Sequence, residues 1–428
     1  MERNDPRYQA YVEILKEELI PAMGCTEPIA LAYAAAKARE VLGVLPDSVQ
    51  LQVSGSIIKN VKSVIVPNTG HLKGMEAAAA AGIIAGSAEK ELEVISEVSE
   101  EKKSAIRDYL QTVPITIEHT EQGHVFDIVV TERCGQDYAR VRIADYHTNI
   151  CRIEKNGTVL YEVPLLDETV QEDARADRSL LNMQDIWDFA ETADLQDVAD
   201  LLERQIRYNN AIAEEGLLGD YGANIGQVLL STYGNDVSIR AKAKAAAGSD
   251  ARMNGCELPV IINSGSGNQG ITTSVPVIVY ARELKAGDEQ LYRALTLSNL
   301  TTIHEKTPIG RLSAYCGAIS AGAGAGAGIA YLCGGGYEAV IHTVVNALAV
   351  VSGVICDGAK ASCAAKIATA VEAGLLGYNM YIRGQQFRGG DGIVAKGVEN
   401  SLRNVGRLGK QGMKETNREI IDIMVGCK

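Results

Sequence analysis

Residues 313–363 hold the three segments that decide how the second half of this chain is built: Ser-Ala-Tyr-Cys-Gly (313–317), Ala-Gly-Ala-Gly-Ala-Gly-Ala-Gly (321–328) and Cys-Asp-Gly-Ala-Lys-Ala-Ser-Cys (356–363). The Ala-Gly alternation resembles a silk strand, but its flanks are typical of a helix. Glycines along a helix let a second helix approach closely. The cysteine spacing is neither the paired C-x2-C of a zinc ribbon nor the compact C-x2-C-x2-C run of a ferredoxin. We therefore expect closely packed helices and a site assembled by cysteines from separate segments.

A glycine between Cys356 and Cys363 allows the two residues to lie on different elements. On one unbroken helix they would lie about 10 Å apart along the axis, which is awkward for two ligands of one small cluster. Gly358 offers a break, so we expect Cys356 on a turn and Cys363 at the start of a helix, where the macrodipole stabilises a thiolate. Free cysteines are often just small buried hydrophobes. We expect that for Cys333, but not for Cys316, Cys356 or Cys363.

Composition places the chain among globular proteins. Its 428 residues are 46% hydrophobic and 22% charged, enough for two or three domains with sizeable cores. One Trp and three Phe stand against 43 Gly, which favours packed helices over an aromatic-rich binding surface. The net charge of −13 argues against nucleic-acid binding. No signal-peptide pattern follows Met1, and His342 and Asn346 interrupt the most apolar segment, 338–356, so we expect a cytoplasmic protein without a membrane span.

The two halves of the sequence differ in predicted secondary structure. In the first half, short alternating segments predict strands at 48–54, 90–98, 115–118, 125–131, 138–143, 149–154 and 158–163, and small residues predict a helix at 72–85. In the second half, helical patterns include 191–215, 227–247, 275–283, 289–303, 313–332, 338–353, 361–375 and 415–425. The acidic segment 164–180 is typical of a solvated connection between two domains. We expect an α+β fold, with an α+β domain of mainly antiparallel sheet at 1–170 and an all-α domain at 171–428.

The segment Pro-Ala-Met-Gly-Cys-Thr-Glu-Pro (21–28) separates two predicted helices, 8–20 and 29–42. Cys25 therefore lies just before a helix N-terminus, a position that favours a low-pKa thiol and suits a substrate carboxylate. Equally, Thr26 could cap the helix while Cys25 packs beneath it. Asn60, which we expect in a loop, and the turn at 67–70 could line a pocket. They are weaker candidates, because turn-forming polar residues are commonly structural.

A second polar loop reads Asn-Ser-Gly-Ser-Gly-Asn-Gln-Gly (263–270). Its glycines and hydroxyls could form a nest of N–H donors for an anion. The loop is reminiscent of the asparagine loop of pyridoxal-phosphate dehydratases, which also need a Schiff-base lysine. Lys242 and Lys244 precede it on what reads as a solvated helix face, so this mechanism stays an alternative.

Together these segments resemble the L-cysteine desulfidase family, which is related to the iron–sulfur L-serine dehydratases. The resemblance rests on Pro-Ala-Met-Gly-Cys-Thr-Glu-Pro-Ile-Ala (21–30), Ser-Gly-Ser-Gly-Asn-Gln-Gly (264–270), Ser-Ala-Tyr-Cys-Gly (313–317) and Cys-Asp-Gly-Ala-Lys (356–360). It covers nearly all 428 residues and implies that the alpha and beta parts are fused in one chain. It implies an oxygen-sensitive 4Fe–4S cluster held by Cys316, Cys356 and Cys363, with one iron open. The serine enzymes carry a Ser/His/Thr-Gly-Pro motif at 24–28, so Cys25 stands at their histidine. That departure points to cysteine as substrate.

The resemblance implies a lyase that releases sulfide from L-cysteine and yields pyruvate and ammonia. The open iron acts as a Lewis acid, and Cys25 is expected as the base or, alternatively, as a cluster ligand. The expected substrate-binding residues are Thr26, Glu27, Asn60, Ser266, Asn268, Gln269, Lys306 and Arg311. Lys306 and Arg311 could hold the carboxylate of the substrate or form surface ion pairs.

Cys427 is the penultimate residue, and we hypothesise that it caps the open iron as a fourth ligand until substrate displaces it. Three alternatives to the desulfidase remain: an L-serine dehydratase of the same mechanism, a pyridoxal-phosphate-dependent dehydratase, and a non-catalytic protein of this fold that binds an amino acid or a metal. A homodimer is the expected oligomeric state.

Overall fold

A computed structural model describes residues 1–120, 124–165, 176–310 and 312–426 of the chain. The first half contains α1 (Pro6–Glu18), β1 (Pro21–Met23), α2 (Thr26–Leu42), β2 (Ser48–Ser54), α3 (Gly55–Val61), α4 (Gly74–Ala85), α5 (Glu100–Thr112), β3 (Ile115–Thr120), β4 (Asp127–Cys134), β5 (Asp137–Ala144), β6 (Ile150–Lys155) and β7 (Thr158–Glu162). The second half contains α6 (Met183–Thr192), α7 (Ala199–Leu218), α8 (Ile225–Tyr233), α9 (Val237–Met253), β8 (Pro259–Ile261), α10 (Gly267–Leu284), α11 (Asp288–Lys306), α12 (Gly317–Leu332), α13 (Tyr337–Val351), α14 (Ser362–Tyr381), α15 (Val398–Arg407) and α16 (Lys414–Val425).

The larger sheet has the strand order β3-β2-β4-β5-β6-β7. Strands β2 and β3 run parallel, and each of the other neighbouring pairs is antiparallel. Alternate residues such as Leu51, Val130 and Val141 are fully buried, because a strand directs every second side chain to the same face. The helix α2 packs on β4 and β5. The predicted α+β fold with a mainly antiparallel sheet is confirmed.

Helix α12 lies at the centre of the helical half, in contact with α10, α11, α13 and α14. Its glycines explain this position. A Cβ at Gly322 would lie 2.4 Å from the carbonyl oxygen of Ala370, and one at Gly326 would lie 2.8 Å from the Cα of Gly374, both in α14. The Ala-Gly repeat is therefore a helix whose small residues admit neighbouring backbones at close range.

The two halves share several contacts. Strand β1 pairs with β8 in an antiparallel two-stranded sheet, so the second half is not purely helical. Tyr8 and Tyr11 of α1 pack edge-on against Phe189 of α6, and α16 lies on α3. The boundary expected at residue 170 falls outside the described residues, and the two-domain division stays a prediction.

Three predicted elements differ from the structure. The segment 90–98 is not a strand but follows a 3₁₀ turn at Ala88–Glu93, where Ser87 and Val94 close a loop through a 3.0 Å backbone hydrogen bond. The helix predicted at 191–215 is interrupted after Thr192, since Asp194 caps a short 3₁₀ turn there. The region 227–247 divides at Gly234, whose φ of 92° belongs to the left-handed region.

No helix within the described ranges is long and apolar enough to cross a membrane.

Candidate active site

Two loops in antiparallel contact carry Cys316 and Cys356. Tyr315 and Ile355 form a bridge, Cys316 N–H donates to Val354 O at 3.2 Å, and Cys356 N–H donates to Ala314 O at 2.6 Å. In this register the two cysteines are diagonal neighbours on one face of the pair. Such neighbours lie about 7–8 Å apart on a regular antiparallel ladder. The two thiols therefore face the same space without crowding each other.

Cys363 joins them from the second residue of α14. Its Sγ lies 3.6 Å from Gly358 O, so the turn expected between the two cysteines is present. Gly358 has a φ of 92°, and a Cβ there would lie 2.1 Å from Lys59 O in α3. Only glycine fits this approach. The expected placement of Cys356 on a turn and Cys363 at a helix start is confirmed.

Lys59 lies beneath both loops and is only 1% exposed. Its Nζ donates to Ser313 O at 3.4 Å, Cys356 O at 3.2 Å and Asn417 Oδ1 at 2.7 Å. One ammonium thus ties the Cys316 loop, the Cys356 loop and α16 together. Sequence reasoning missed this residue, although a lysine inside Ile-Ile-Lys-Asn-Val (57–61) is a visible signal of a buried cation.

Burial, with a smaller contribution from the neighbouring Cys356, raises the pKa of the Cys316 thiol to about 12. Burial also raises the pKa of Cys363. Lys366 acts in the opposite direction on both thiols. These thiols are therefore protonated unless a bound cation holds them as thiolates. Among the described residues, no three His, Cys, Asp or Glu donors are close enough to share a single metal ion.

Cys25 is the N-cap residue of α2 and is 3% exposed. It packs in one apolar cluster with Val64 and Met253, against which Cys363 also lies. The low thiol pKa expected from its position is wrong. Burial raises the pKa of Cys25 well above its ordinary value, and the charge of Glu27 raises it further. Both effects outweigh the helix N-terminus, and the thiol donates to Glu27 Oε2 at 3.1 Å.

Glu27 is a buried carboxylate surrounded by donors. Asn60 Nδ2 donates to Oε1 at 3.0 Å and Thr26 Oγ1 donates to Oε2 at 3.1 Å, while His147 Nε2 lies 3.9 Å away. Burial alone would raise the pKa of Glu27, but His147 and the thiol of Cys25 outweigh it and lower that pKa to about 2. Asn60 is in helix α3, so its predicted loop position is wrong.

The loop 263–266 approaches Cys25 because β8, which precedes it, pairs with β1. Thr26 Oγ1 donates to Gly265 O at 3.0 Å, and Ser266 is the N-cap of α10. Asn268 and Gln269 follow in the first turn. Gln269 packs so closely on α12 that a Cβ at Gly317 would lie 2.6 Å from its Cδ. The structure thus places this loop between Cys25 and Cys316, as the sequence alone could not.

Arg252 is a further residue of the site that sequence reasoning missed. It is 2% exposed, and its Nη1 donates to Asn268 Oδ1 at 3.1 Å. Its Nε and Nη2 have no hydrogen-bond partner in the described part of the chain. The neighbouring Cys25, Glu27 and Cys363 favour the charged form of Arg252, Cys25 most strongly. The signal in the sequence is a lone arginine among small residues, Ala-Ala-Ala-Gly-Ser-Asp-Ala-Arg (245–252).

A cavity of about 1130 Å³ lies between the sheet and the helical half. Lys306 lines it, as do Ser264, Ser313 and Ala314, which adjoin the loops of the site. Lys306 Nζ donates to Gly310 O. Arg311, the other expected carboxylate-binding residue, lies outside the described residues.

Cys333 does not join the group. Cys333 lies at the opposite end of α12 from Cys316 and is exposed, so its expected burial is wrong. Cys427 lies outside the described residues.

The lysines considered for a Schiff base, Lys242 and Lys244, form ion pairs with Glu372 and Glu214.

Comparison with known proteins covers the whole chain. A family model described as serine dehydratase alpha chain matches residues 89–422, which include Arg252 and the three clustered cysteines but not Cys25. A UPF0597 protein of Desulfitobacterium hafniense is 62% identical over 99% of this chain and 98% of its own length. UPF0597 proteins of Lachnoclostridium phytofermentans and Treponema denticola are 51% and 46% identical, over 98% and 99% of this chain and all of their own lengths.

Proposed function

Because the chain belongs to the serine dehydratase alpha-chain family, we propose that it is a lyase that removes sulfide from L-cysteine to give pyruvate and ammonia. One observation carries this proposal. Three cysteines from two loops and a helix start face one space, and Cys25, the α10 loop and Arg252 surround it.

The donor set fits a 4Fe–4S cluster held by Cys316, Cys356 and Cys363. Thiolates are the ligands that such clusters use. Cysteines from two loops and a helix start would each bind a different iron of such a cluster. Lys59 and Lys366 place positive charge next to the cysteine loops. When bound, the cluster supplies an open Lewis-acidic iron that assists departure of the β-substituent.

Cys25 is the proposed base for the α-proton. In the structure it is a thiol that donates to Glu27, and the guanidinium of Arg252 is the nearby cation that opposes the rise in its pKa. Transfer of that proton to Glu27 would leave Cys25 as a thiolate that accepts the α-proton of the substrate. The Cα–H and Cβ–S bonds break, sulfide leaves, and the resulting 2-aminoacrylate takes up water to give pyruvate and ammonia. The alternative role of Cys25, a cluster ligand, uses the same thiolate.

Substrate binding is assigned to the residues around this thiol. The N–H groups at the start of α10, with Ser266, Asn268 and Gln269, suit a carboxylate. Thr26, Glu27 and Asn60 form a hydrogen-bonded group beside Cys25 that suits the ammonium of an amino acid. Lys306 and Arg311 remain the residues proposed from the sequence for the carboxylate.

Cys427 is proposed as the displaceable fourth ligand. Helix α16 lies on α3, and Lys62 Nζ donates to Met424 O at its end. Lys62 is two residues from Val64, which packs against Cys25. The described chain therefore ends close to the site.

The decisive experiment is anaerobic purification followed by an elimination assay. We expect brown protein with about four irons per chain. We also expect sulfide and pyruvate in equal amounts from L-cysteine, faster than pyruvate from L-serine. Faster turnover of L-serine would establish the dehydratase alternative, and no turnover of either would leave a binding protein. An absorbance that hydroxylamine removes would establish pyridoxal phosphate instead.

Light scattering on the same sample tests the proposed homodimer, and cell fractionation tests the proposed cytoplasmic location.

A further inference from the structure

Arg252 carries a buried positive charge that forms no ion pair with any described residue. At 2% exposure the guanidinium has given up its water, and burial lowers the pKa of Arg252 below its ordinary value. Two of its three nitrogens have no partner among the described residues. A buried donor or charge left unpaired is costly. An anion bound next to Arg252 would offset this free-energy cost.

Glu27, the carboxylate whose charge acts on Arg252, does not supply that anion. Glu27 already accepts hydrogen bonds from Asn60, Thr26 and Cys25. No ion pair involving Arg252 occurs among the described residues, whereas Arg240, on the same helix α9, pairs with Glu283.

The orientation of the guanidinium is set by two neighbours in the first turn of α10. Asn268 Oδ1 accepts from Nη1 at 3.1 Å. Gly267 leaves room for the planar group, since a Cβ there would lie 2.2 Å from Nε and 2.7 Å from Cζ of Arg252. The guanidinium thus packs against the start of an 18-residue helix whose N-cap, Ser266, makes no side-chain capping bond. The N–H groups of the first turn of α10, which lack a side-chain cap, therefore lie beside the guanidinium of Arg252.

We infer that Arg252 and the N-terminus of α10 together bind the α-carboxylate of the amino-acid substrate, an inference that rests on the proposed function for the identity of the ligand. A guanidinium is suited to this task because its N–H groups match the two oxygens of a carboxylate. Anchored there, the substrate presents its Cα next to Cys25, which packs in the same region. Arg252 thereby replaces Lys306 as the main carboxylate-binding residue.

The test compares two ligands that differ only in the carboxylate and lack a leaving group, L-alanine and ethylamine. Equilibrium binding is measured on anaerobically prepared protein with its iron content recorded. We expect the native protein to prefer L-alanine by roughly 100-fold or more, since a buried charge pair is at stake. Arg252→Gln should abolish the preference, and Arg252→Lys, which keeps the charge but not the fork, should retain roughly a tenth of it. Arg240→Gln, on the same helix, should keep it unchanged.

Gly267→Ala provides a second variant that moves the guanidinium without removing it. The added methyl would meet side chains rather than backbone, the Arg252 guanidinium at 2.2 Å and Cγ2 of Val260 at 2.7 Å. We therefore expect the fold to be retained through side-chain shifts while the preference for L-alanine falls by about 10-fold. The inference is overturned if Arg252→Gln and Gly267→Ala both keep the native preference, or if the native protein has none. Loss of iron in Arg252→Gln with an unchanged preference would overturn it in favour of a role at the cluster. A preference that depends on Arg252 in a protein that eliminates nothing would support the anchor while refuting the lyase.

Discussion

Cys316 and Cys333 lie at opposite ends of α12, a helix of 16 residues. At about 1.5 Å per residue, they are about 25 Å apart. Cys316 is the N-cap, beside the Cys356 loop and the positive end of the helix dipole. Cys333 is the C-cap, exposed at the negative end. The dipole and nearby lysines favour a thiolate only at the first end.

The comparison shows that the loops and charges packed around a cysteine, rather than the residue type, make it a candidate ligand. At the Cys316 end, Lys59 ties two loops together and the α10 loop packs against Gly317. At the Cys333 end, three glycines follow and nothing lies within 4 Å of a Cβ placed on Gly334 or Gly336. Cys316 therefore lies among packed loops, whereas Cys333 is followed by glycines, two of which have open space around them. Four experiments would break or sharpen this contrast.

The largest expected effect is on iron content. Replacing Cys316, Cys356 or Cys363 with Ala should abolish iron retention, because each removes one of three thiolate ligands. Cys333→Ala is the control and should retain the native iron content. Iron per chain and the visible spectrum of anaerobic protein measure both. A variant of the first three that keeps full iron and activity would remove that cysteine from the ligand set.

The second effect is on turnover. Cys25→Ala should keep the cluster spectrum but reduce kcat by roughly 10²–10⁴-fold, the contribution of a positioned base. Cys151→Ala, another buried cysteine but in β6, is the matched control and should leave kcat unchanged. Loss of the spectrum in Cys25→Ala would instead identify Cys25 as a cluster ligand.

The third effect is on stability in the middle of α12. Gly322→Ala should destabilise the fold by about 1–3 kcal/mol or more, because the new methyl would meet the Ala370 backbone at 2.4 Å. Gly336→Ala, beyond the Cys333 end, should change stability by about 0.5–1 kcal/mol at most. Denaturant titration of both variants measures the difference. Equal midpoints would show that α12 and α14 do not pack this closely.

The smallest effect is expected at the chain end. Removing residues 427 and 428 should abolish any lag in turnover and make the cluster more sensitive to oxygen, because the proposed cap on the open iron is lost. Replacing Lys428 alone should change neither property. Stopped assays and bleaching rates in air report both. Unchanged kinetics and bleaching in the truncated chain would make Cys427 an ordinary surface thiol.

Local sequence signals were enough for much of the fold. Alternating residues located β2, β4, β5 and β6, because period two survives in any half-buried strand. Helical spacing located α12, α13 and α14 within a few residues for the same reason. The segment 90–98 misled because short apolar runs do not separate a strand from a buried turn. The break at Gly358 was predictable, since glycine between two functional residues indicates a change of direction.

The sequence by itself determined the α+β class, the helix starts that carry Cys25 and Cys363, and the polar loop before α10. Only the tertiary structure decided what these elements enclose. The local sequence around Lys59 and Arg252 signals a buried cation but not its partners, because these depend on contacts between residues far apart in the chain. The pKa of Cys25 was misjudged for the same reason. A helix N-terminus is a local feature, whereas desolvation and the charge of Glu27 arise only when α2, α3 and the loop at 263–266 come together.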